Sequence, residues 1–481
     1  MARVRSTFEA APDDVPVGTT RAWRAELRAT VALGVPLIAA QLAQIAIQTT
    51  VTLMMGRLGP DELAAGALGS TLLFVFIIVT IGLAAAVGTL VAQERGARPH
   101  SVREVRRLVR QGFWVVLAFS ALGLLALARG EAILLAANQE PATAARAMDY
   151  IGTAMWALPF SGLFVVLRAF ALSLERTREI LLITLGAIAV NAGLNWVLMF
   201  GRLGAPALGV EGTGIATTAT NAFMLLALAL AIRRDRLMRR YRVWGRFWRP
   251  DPTRLASVLR MGLPISLLLL AEVGTFAGST AIAGMVGTQT LAAHAIALQI
   301  ASVTFMVPLG LSQATNVRVG LAFGRGSGVA LAGRVSIMLG LGFAAMAALL
   351  MLAVPDALVA AFIDPAVAPR TAALASSFLL LAALFQLVDA GQVIYASALR
   401  GIGDTAVPLV LGLIGYWGVG LPLGAVLALG LAPNLLPDSL GAAWGGLGVW
   451  TGLATGLAVV CLLLALRWWQ LLRAVRVARV P

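Results

Sequence analysis

The sequence predicts an all-α integral membrane protein, its twelve transmembrane helices arranged as two parallel-repeat six-helix lobes. Three observations predict it: an apolar composition, a series of unbroken apolar runs of spanning length, and self-similarity at a constant offset. The 481 residues are 59% hydrophobic and only 12% charged, whereas soluble domains carry about 25% charged residues. A soluble chain this apolar would precipitate. The apolar runs are continuous rather than alternating, which argues against strand-type spans.

A span needs about 20 mostly apolar residues. Twelve stretches qualify: 31–54, 64–92, 111–128, 147–173, 179–200, 210–232, 257–283, 291–319, 334–354, 372–398, 405–429 and 441–466. The expected organisation is then a cytoplasmic tail (1–30), an N-lobe of spans 1 to 6 (31–232) and a basic inter-lobe loop (233–256). A C-lobe of spans 7 to 12 (257–466) and a cytoplasmic tail (467–481) follow. The first residues mix acids and arginines and have no apolar core, so they do not read as a cleavable signal peptide.

All 37 basic residues are arginine, and their placement orients the spans. The loop between spans 2 and 3 carries Arg95, Arg98, Arg103, Arg106, Arg107 and Arg110. The loop between spans 6 and 7, "RRDRLMRRYRVWGRFWRPDPTR", is the most basic stretch. Arg325 and Arg334 follow between spans 8 and 9, and Arg467, Arg473, Arg476 and Arg479 at the C-terminus. The opposite side holds only Arg57, Arg129, Arg146, Arg202 and Arg370. Both termini are therefore expected in the cytoplasm, with the chain in the inner (plasma) membrane. The net charge of +15 is largely this topology signal, so no nucleic-acid partner is expected. The "WGRFWR" aromatics of the long loop suit a membrane interface.

The repeat is a register of 228 residues. "GRLGPDELAAGA" (56–67) matches "GMVGTQTLAAHA" (284–295), pairing Gly56 with Gly284, Gly59 with Gly287 and Leu63 with Leu291. Without a gap the same offset pairs Gly34 with Gly262, Pro36 with Pro264, Gly82 with Gly310 and Thr177 with Thr405. Six spans, an even number, separate the copies, so both halves have the same orientation. Secondary transporters use such repeats, with their sites near the midplane between the halves.

Of the 22 acidic residues only Glu272 (span 7) and Asp389 (span 10) lie near a span centre. An acid placed there costs about 2.5–3.5 kcal/mol on insertion scales and is functional by default. No arginine lies near a span centre; Arg168 is close enough to a helix end to snorkel. The stabilising partner expected is therefore a proton, a metal ion or a cationic solute. Two nearby carboxyls titrate as a coupled pair, a workable H⁺ or Na⁺ site. Gln386, Asp389 and Gln392 share a helix face, and Thr275 and Phe276 share the face of Glu272. In span 1, Gln41, Gln44 and Gln48 also share a face. By the repeat offset Gln44 is the counterpart of Glu272 and Ser161 that of Asp389. The N-terminal half is thus neutral where the C-terminal half is acidic. Asn191 and Asn195 form a further polar pair in span 5, suited to inter-helix hydrogen bonds. Aromatic residues such as Phe276 and Tyr395 are mostly packing, and a few are expected to line an apolar cavity. One cysteine, Cys461, excludes an internal disulfide, and two histidines leave little for a zinc or haem site. No HExxH and no Ser–His cluster at membrane depth point to an enzyme, and no cofactor is expected.

Four stretches carry a family resemblance: "MMGRLGPDELAAGALG", "MVGTQTLAAHAIALQIASVTFMVPLGLSQATNVRVGLAFGRG", "LFQLVDAGQVIYASALRGIGDTAVP" and "GLPISLLLLAEVGTFA". Over essentially its whole length the chain resembles the MATE (multidrug and toxic compound extrusion) family. The resemblance implies two lobes around a V-shaped cavity and export of organic cations and similar drugs in exchange for Na⁺ or H⁺. In the NorM-like branch acids on helices 7 and 10 form the cation site, and Glu272 and Asp389 fall on those positions. Gln41, Gln44, Phe276, Gln386 and Tyr395 are the candidates for contact with substrate. The family's frequent aspartate five residues before the glycine at position 56 is here Val51, which leaves the C-lobe pair as the coupling candidate. A monomer in the lipid bilayer is expected. Alternatives are a flippase for lipid-linked headgroups, which wants a basic cavity, and a channel.

Overall fold

The structure, a computed structural model, describes residues 20–245, 247–431 and 444–477, with side chains as far as Arg473. These residues are all helical or in short connections, with no strand among them. Among the described residues eleven helices are long and apolar enough to cross a membrane, or up to twelve if one bent pair counts as a single span. We label the spans in chain order. The first six are α1 Thr20–Gly56, α2 Pro60–Ala97, α3 Val102–Leu127, α4a Pro141–Ala154 with α4b Ala157–Ser173, α5 Arg178–Phe200 and α6 Gly209–Arg234. The second six are α7 Pro252–Val286, α8 Thr288–Arg325, α9 Val329–Ala353, α10 Pro369–Gly401, α11 Ala406–Leu429 and α12 Gly446–Val477. The expected start of span 12 at 441, and Asp438 before it, lie outside the described residues.

Two spans depart from a straight helix. The fourth bends by 50° between its segments. Pro159 lies in the first turn of α4b, where its missing N–H costs nothing, but its ring would clash with the carbonyl four residues earlier if the helix ran on. The counterpart position in α10 is Leu387, and α10 is continuous. The eleventh span contains a π-helical turn over Ile414–Gly420, in the glycine-rich stretch "IGYWGVG".

The chain forms two compact units, and they do not coincide with the two sequence halves. One contains residues up to Ile38 together with those from Leu268 onward; the other spans Ala39–Leu267. The first part of α1 thus belongs with the C-terminal helices, and the first part of α7 with the N-terminal ones. The change of unit comes just after Pro36 in α1 and just after Pro264 in α7, two repeat-related prolines inside helices.

Packing inside each unit repeats the sequence register. A Cβ on Gly82 of α2 would lie 2.6 Å from the backbone nitrogen of Ser266, and one on Gly310 of α8 would lie 2.8 Å from that of Ile38. Positions 38 and 266 are themselves 228 apart, so the same backbone crossing occurs once in each unit. Gly59 and Gly287, which open α2 and α8, have φ of 138° and 151°, a conformation that favours glycine. Ion pairs tie down the helix starts with reversed polarity. Glu26 of α1 accepts from Arg318 Nε of α8 at 2.8 Å, and its counterpart Arg254 of α7 donates to Glu104 of α3 at 2.9 Å.

The unit containing the C-terminal helices has an aromatic core of buried Phe378, Phe385, Tyr416, Trp450 and Trp468. The other packs Leu73, Leu127, Tyr150, Ile151 and Leu158. Helix α12 continues through the residues expected as a tail: Trp468 is fully buried, and Arg467 donates to Asp404 at 2.8 Å.

Candidate site of two carboxylates

Helix α10 places Gln386, Asp389 and Gln392 three residues apart, and all three are buried. Helix α7 presents half-buried Glu272 toward them. A single amide joins the two acids. Gln392 Nε2 donates to Glu272 Oε1 at 3.1 Å and to Asp389 Oδ1 at 3.4 Å. With both carboxylates as acceptors, the amide must turn its NH₂ toward them and its oxygen away. That oxygen accepts from the hydroxyl of fully buried Tyr416 at 3.0 Å.

Tyr416 and its neighbour Trp417 come from the π turn of α11. Tyr416 reaches α10, while Trp417 Nε1 donates to the carbonyl of Ala271 on α7 at 3.0 Å, one residue before Glu272. Gly274 makes this possible, because a Cβ there would stand 2.8 Å from the indole. One turn of α11 therefore holds both acid-bearing helices, in keeping with the frequent placement of π turns at functional sites. Sequence reading missed Tyr416 and Trp417. The available signal was an aromatic pair, each with a polar tip, set among glycines in an otherwise apolar span.

No arginine forms an ion pair with either acid among the described residues, although one acts on Glu272 at longer range. Arg400, in the last turn of α10, lies within electrostatic range of Glu272. It sits at the helix end by sequence, but an arginine stem is long enough to carry charge back toward the helix interior. Among the described residues no group of three or more His, Cys, Asp and Glu is arranged to hold a metal ion. The site is a carboxylate pair with neutral oxygen and nitrogen donors around it.

The other expected positions separate. Phe276, one turn after Glu272, packs edge-on against Phe385, with ring centroids 6.1 Å apart. Gln386 is fully enclosed, and neither amide atom has a hydrogen-bond partner among the described residues. Tyr395 lies beside Trp469 and Cys461 of α12 and does not join the carboxylates. Thr275 bonds its own helix at Ala271. In the other unit Gln41 accepts from Arg168 at 3.2 Å, while Gln44 and Gln48 are exposed. Ser161 donates to Leu158 of its own helix at 3.0 Å. Asn191 donates to Thr220 of α6 at 3.2 Å, the inter-helix role expected of the pair, whereas Asn195 donates to Asn191 of its own helix at 3.1 Å. Cys461 is a free thiol packed against Gly391.

Comparison with known proteins matches this architecture. Crystal structures of MATE transporters share the fold: a eukaryotic one superposes with a TM-score of 0.79 at 20% identity, covering 95% of this chain and 99% of the other. An outward-facing multidrug resistance MATE family transporter gives 0.81 at 18% identity, covering 94% and 97%. Among relatives, a protein of Mesorhizobium japonicum named "Probable multidrug resistance protein NorM" is 48% identical, with 93% of this chain and 94% of the relative aligned. A protein of the same name from Brucella suis is 41% identical over 96% and 97%. The sequence model of the MatE family matches twice, at 36–197 and 264–426, and the two matches start at positions related by the 228-residue repeat. On these grounds the chain belongs to the MatE family.

Proposed function

We propose that the protein is a secondary active antiporter exporting drug-like organic compounds, cationic ones foremost, in exchange for Na⁺ or H⁺. The names of its relatives support multidrug efflux. The observation that carries the coupling is the sharing of Gln392 by Glu272 and Asp389. Two carboxylates at membrane depth are costly unless something compensates their charge. A neutral amide contributes hydrogen bonds but no charge, whereas each bound proton or Na⁺ cancels one of the two negative charges. The bound cation replaces the Gln392 N–H as partner of the pair, so loading changes both the charge and the hydrogen bonding between α7, α10 and α11. A ligand shifts a conformational equilibrium only by its differential affinity for the two states, and this change supplies such a difference. Gln41, Gln44, Phe276, Gln386 and Tyr395 remain the candidates for substrate contact. Of these, exposed Gln44 is the most accessible, and Tyr395, turned toward α12, the least. In this reading the protein works as a monomer in the plasma membrane with both termini in the cytoplasm, an orientation that the arginine-rich loops support.

The test is purified protein in liposomes loaded with a cationic dye and driven separately by a Na⁺ gradient and a pH gradient. Dye movement driven by at least one gradient, and lost in Asp389→Asn, is expected. Gradient-driven transport retained in both Asp389→Asn and Glu272→Gln would overturn the coupling role.

A further inference from the structure

Between α6 and α7 the chain runs through "RRDRLMRRYRVWG" (233–245), a stretch that membrane topology alone would explain as basic. Its structure is more specific than topology requires. After α6 the short helix Arg236–Arg239 is capped by Asp235, whose Oδ1 accepts from the backbone N–H of Leu237 and Met238 at 2.8 Å each. The other carboxylate oxygen of Asp235 faces Arg176 at 3.4 Å. The only acid of the stretch is thus already engaged. Met238, Tyr241 and Val243 are buried. The Tyr241 ring meets Phe170 edge-on at 5.5 Å, and the Trp244 ring stacks on Phe113 at 5.2 Å. The segment is therefore anchored to its unit, and the arginines between the anchors are held outward.

These anchors shape a pocket of about 210 Å³ lined by Arg233, Arg239, Arg242 and Trp244, with Ile232 and Met238 forming part of an apolar floor. None of the three arginines has an ion-pair partner among the described residues. The indole N–H of Trp244 is buried and has no hydrogen-bond partner there. A fourth guanidinium is close: Arg106 Nη1 lies 3.9 Å from where a Cβ on Gly245 would be. The carbonyls of Met238, Arg239 and Arg242 are taken up by the turn itself. Every side-chain polar group lining the pocket is a donor. The complementary ligand is an anion with several acceptor oxygens, and guanidinium forks match phosphate. The apolar floor of Ile232, Met238 and Val243 favours a phosphate attached to hydrocarbon over a free ion. Basic pockets on the cytoplasmic side of membrane proteins bind such headgroups.

We propose that the turn at 233–245 is a binding site for the phosphate of an anionic glycerophospholipid from the cytoplasmic leaflet. Arg233, Arg239 and Arg242 grip the phosphate oxygens, and Trp244 donates its indole N–H. The apolar floor takes the glycerol and the first acyl carbons. This site is independent of the carboxylate pair.

The test is thermal unfolding of the full chain in neutral detergent, titrated with phosphatidylglycerol, with phosphatidylcholine and with inorganic phosphate. Phosphatidylglycerol is expected to raise the midpoint saturably, and the other two to leave it within error. R233Q/R239Q/R242Q should raise the half-saturating lipid concentration at least roughly tenfold, since three charged contacts to the phosphate are lost. The equally charged control R103Q/R325Q/R334Q should stay within about twofold of the parent, because it leaves the pocket intact, whereas an effect of surface charge alone would weaken both variants alike. Trp244→Phe, which keeps the ring, should show a smaller loss and covers the case in which the triple variant does not fold. Equal weakening in both triple variants would reduce the effect to bulk charge and overturn the proposal. Protection by phosphatidylcholine, or by inorganic phosphate alone, would overturn the lipid phosphate as occupant.

Discussion

Positions 44 and 161 in the N-terminal half, and 272 and 389 in the C-terminal half, occupy equivalent places in the repeat but do different work. Gln44 is exposed and Ser161 bonds its own helix, whereas Glu272 and Asp389 share one amide. The packing around them did not diverge in this way. Gly82 against Ser266 and Gly310 against Ile38 are the same backbone crossing in two copies. Helix crossings depend on small residues at a few fixed positions and tolerate other changes. Ionisable groups at membrane depth depend on particular partners, and only the C-terminal copy has them. The two halves share a helix crossing, and one of them carries the acidic pair.

The largest expected effect tests that asymmetry directly. Asp389→Asn and Glu272→Gln should each reduce gradient-driven export to the background of empty liposomes, while Ser161→Ala stays within about twofold, as for substitutions away from critical features. A Ser161→Ala variant as damaged as Asp389→Asn would break the comparison. Next comes the shared crossing. Gly82→Val and Gly310→Val each force a side chain into backbone, and overpacking costs about 1–3 kcal/mol. Thermal midpoints should fall by similar amounts in the two variants, and a fall in only one would show that the copies do not carry equal load.

The ion pairs sharpen the comparison further. Glu26 and Arg318 are 13% and 12% exposed, whereas Arg254 is 38% exposed. Glu104 also keeps Arg107 at 2.9 Å if Arg254 is lost. Glu26→Gln should therefore cost about 3 kcal/mol, the lower end for removing one partner from an enclosed pair. Arg254→Gln should cost about 1 kcal/mol or less. Denaturation of the two variants side by side gives the order, and the reverse order would refute it. The smallest effect is at Tyr416. Tyr416→Phe removes one hydrogen bond of about 1 kcal/mol that holds Gln392 in the orientation competing with the cation. The half-saturating concentration of the driving cation should fall by up to about fivefold. A rise would show that Tyr416 instead helps bind the cation.

Much of this was legible in the residues because each signal was local or periodic. Glu272 and Asp389 stood out as the acids near span centres, and Gly56/Gly284 and Pro36/Pro264 marked the repeat. What was missed needed a third dimension. Tyr416 looked like one more aromatic residue of a span until the π turn directed it at Gln392. Arg400 is a helix-end residue by sequence, and only the fold shows that it acts electrostatically on Glu272 of another helix. The bend at Met155–Trp156 was foreshadowed by Pro159, but a proline in an apolar run can start a helix as well as break one. Tyr395 lies three residues after Gln392 on the same helix, yet it turns to α12. Spacing specifies a helix face but not which neighbour covers it.

By itself the sequence determined the membrane class, the number and order of the spans, the doubled register and the identity of the two acids. These follow from hydropathy and from residue type at fixed spacing, both of which act along the chain. Only the tertiary structure decided that the compact units exchange the first parts of α1 and α7, and that one glutamine serves both carboxylates. It also decided that the arginines of the 233–245 turn converge on one pocket. Each of these depends on which helix or turn lies beside which, set by side-chain packing between segments up to 292 residues apart in sequence, such as Glu26 and Arg318.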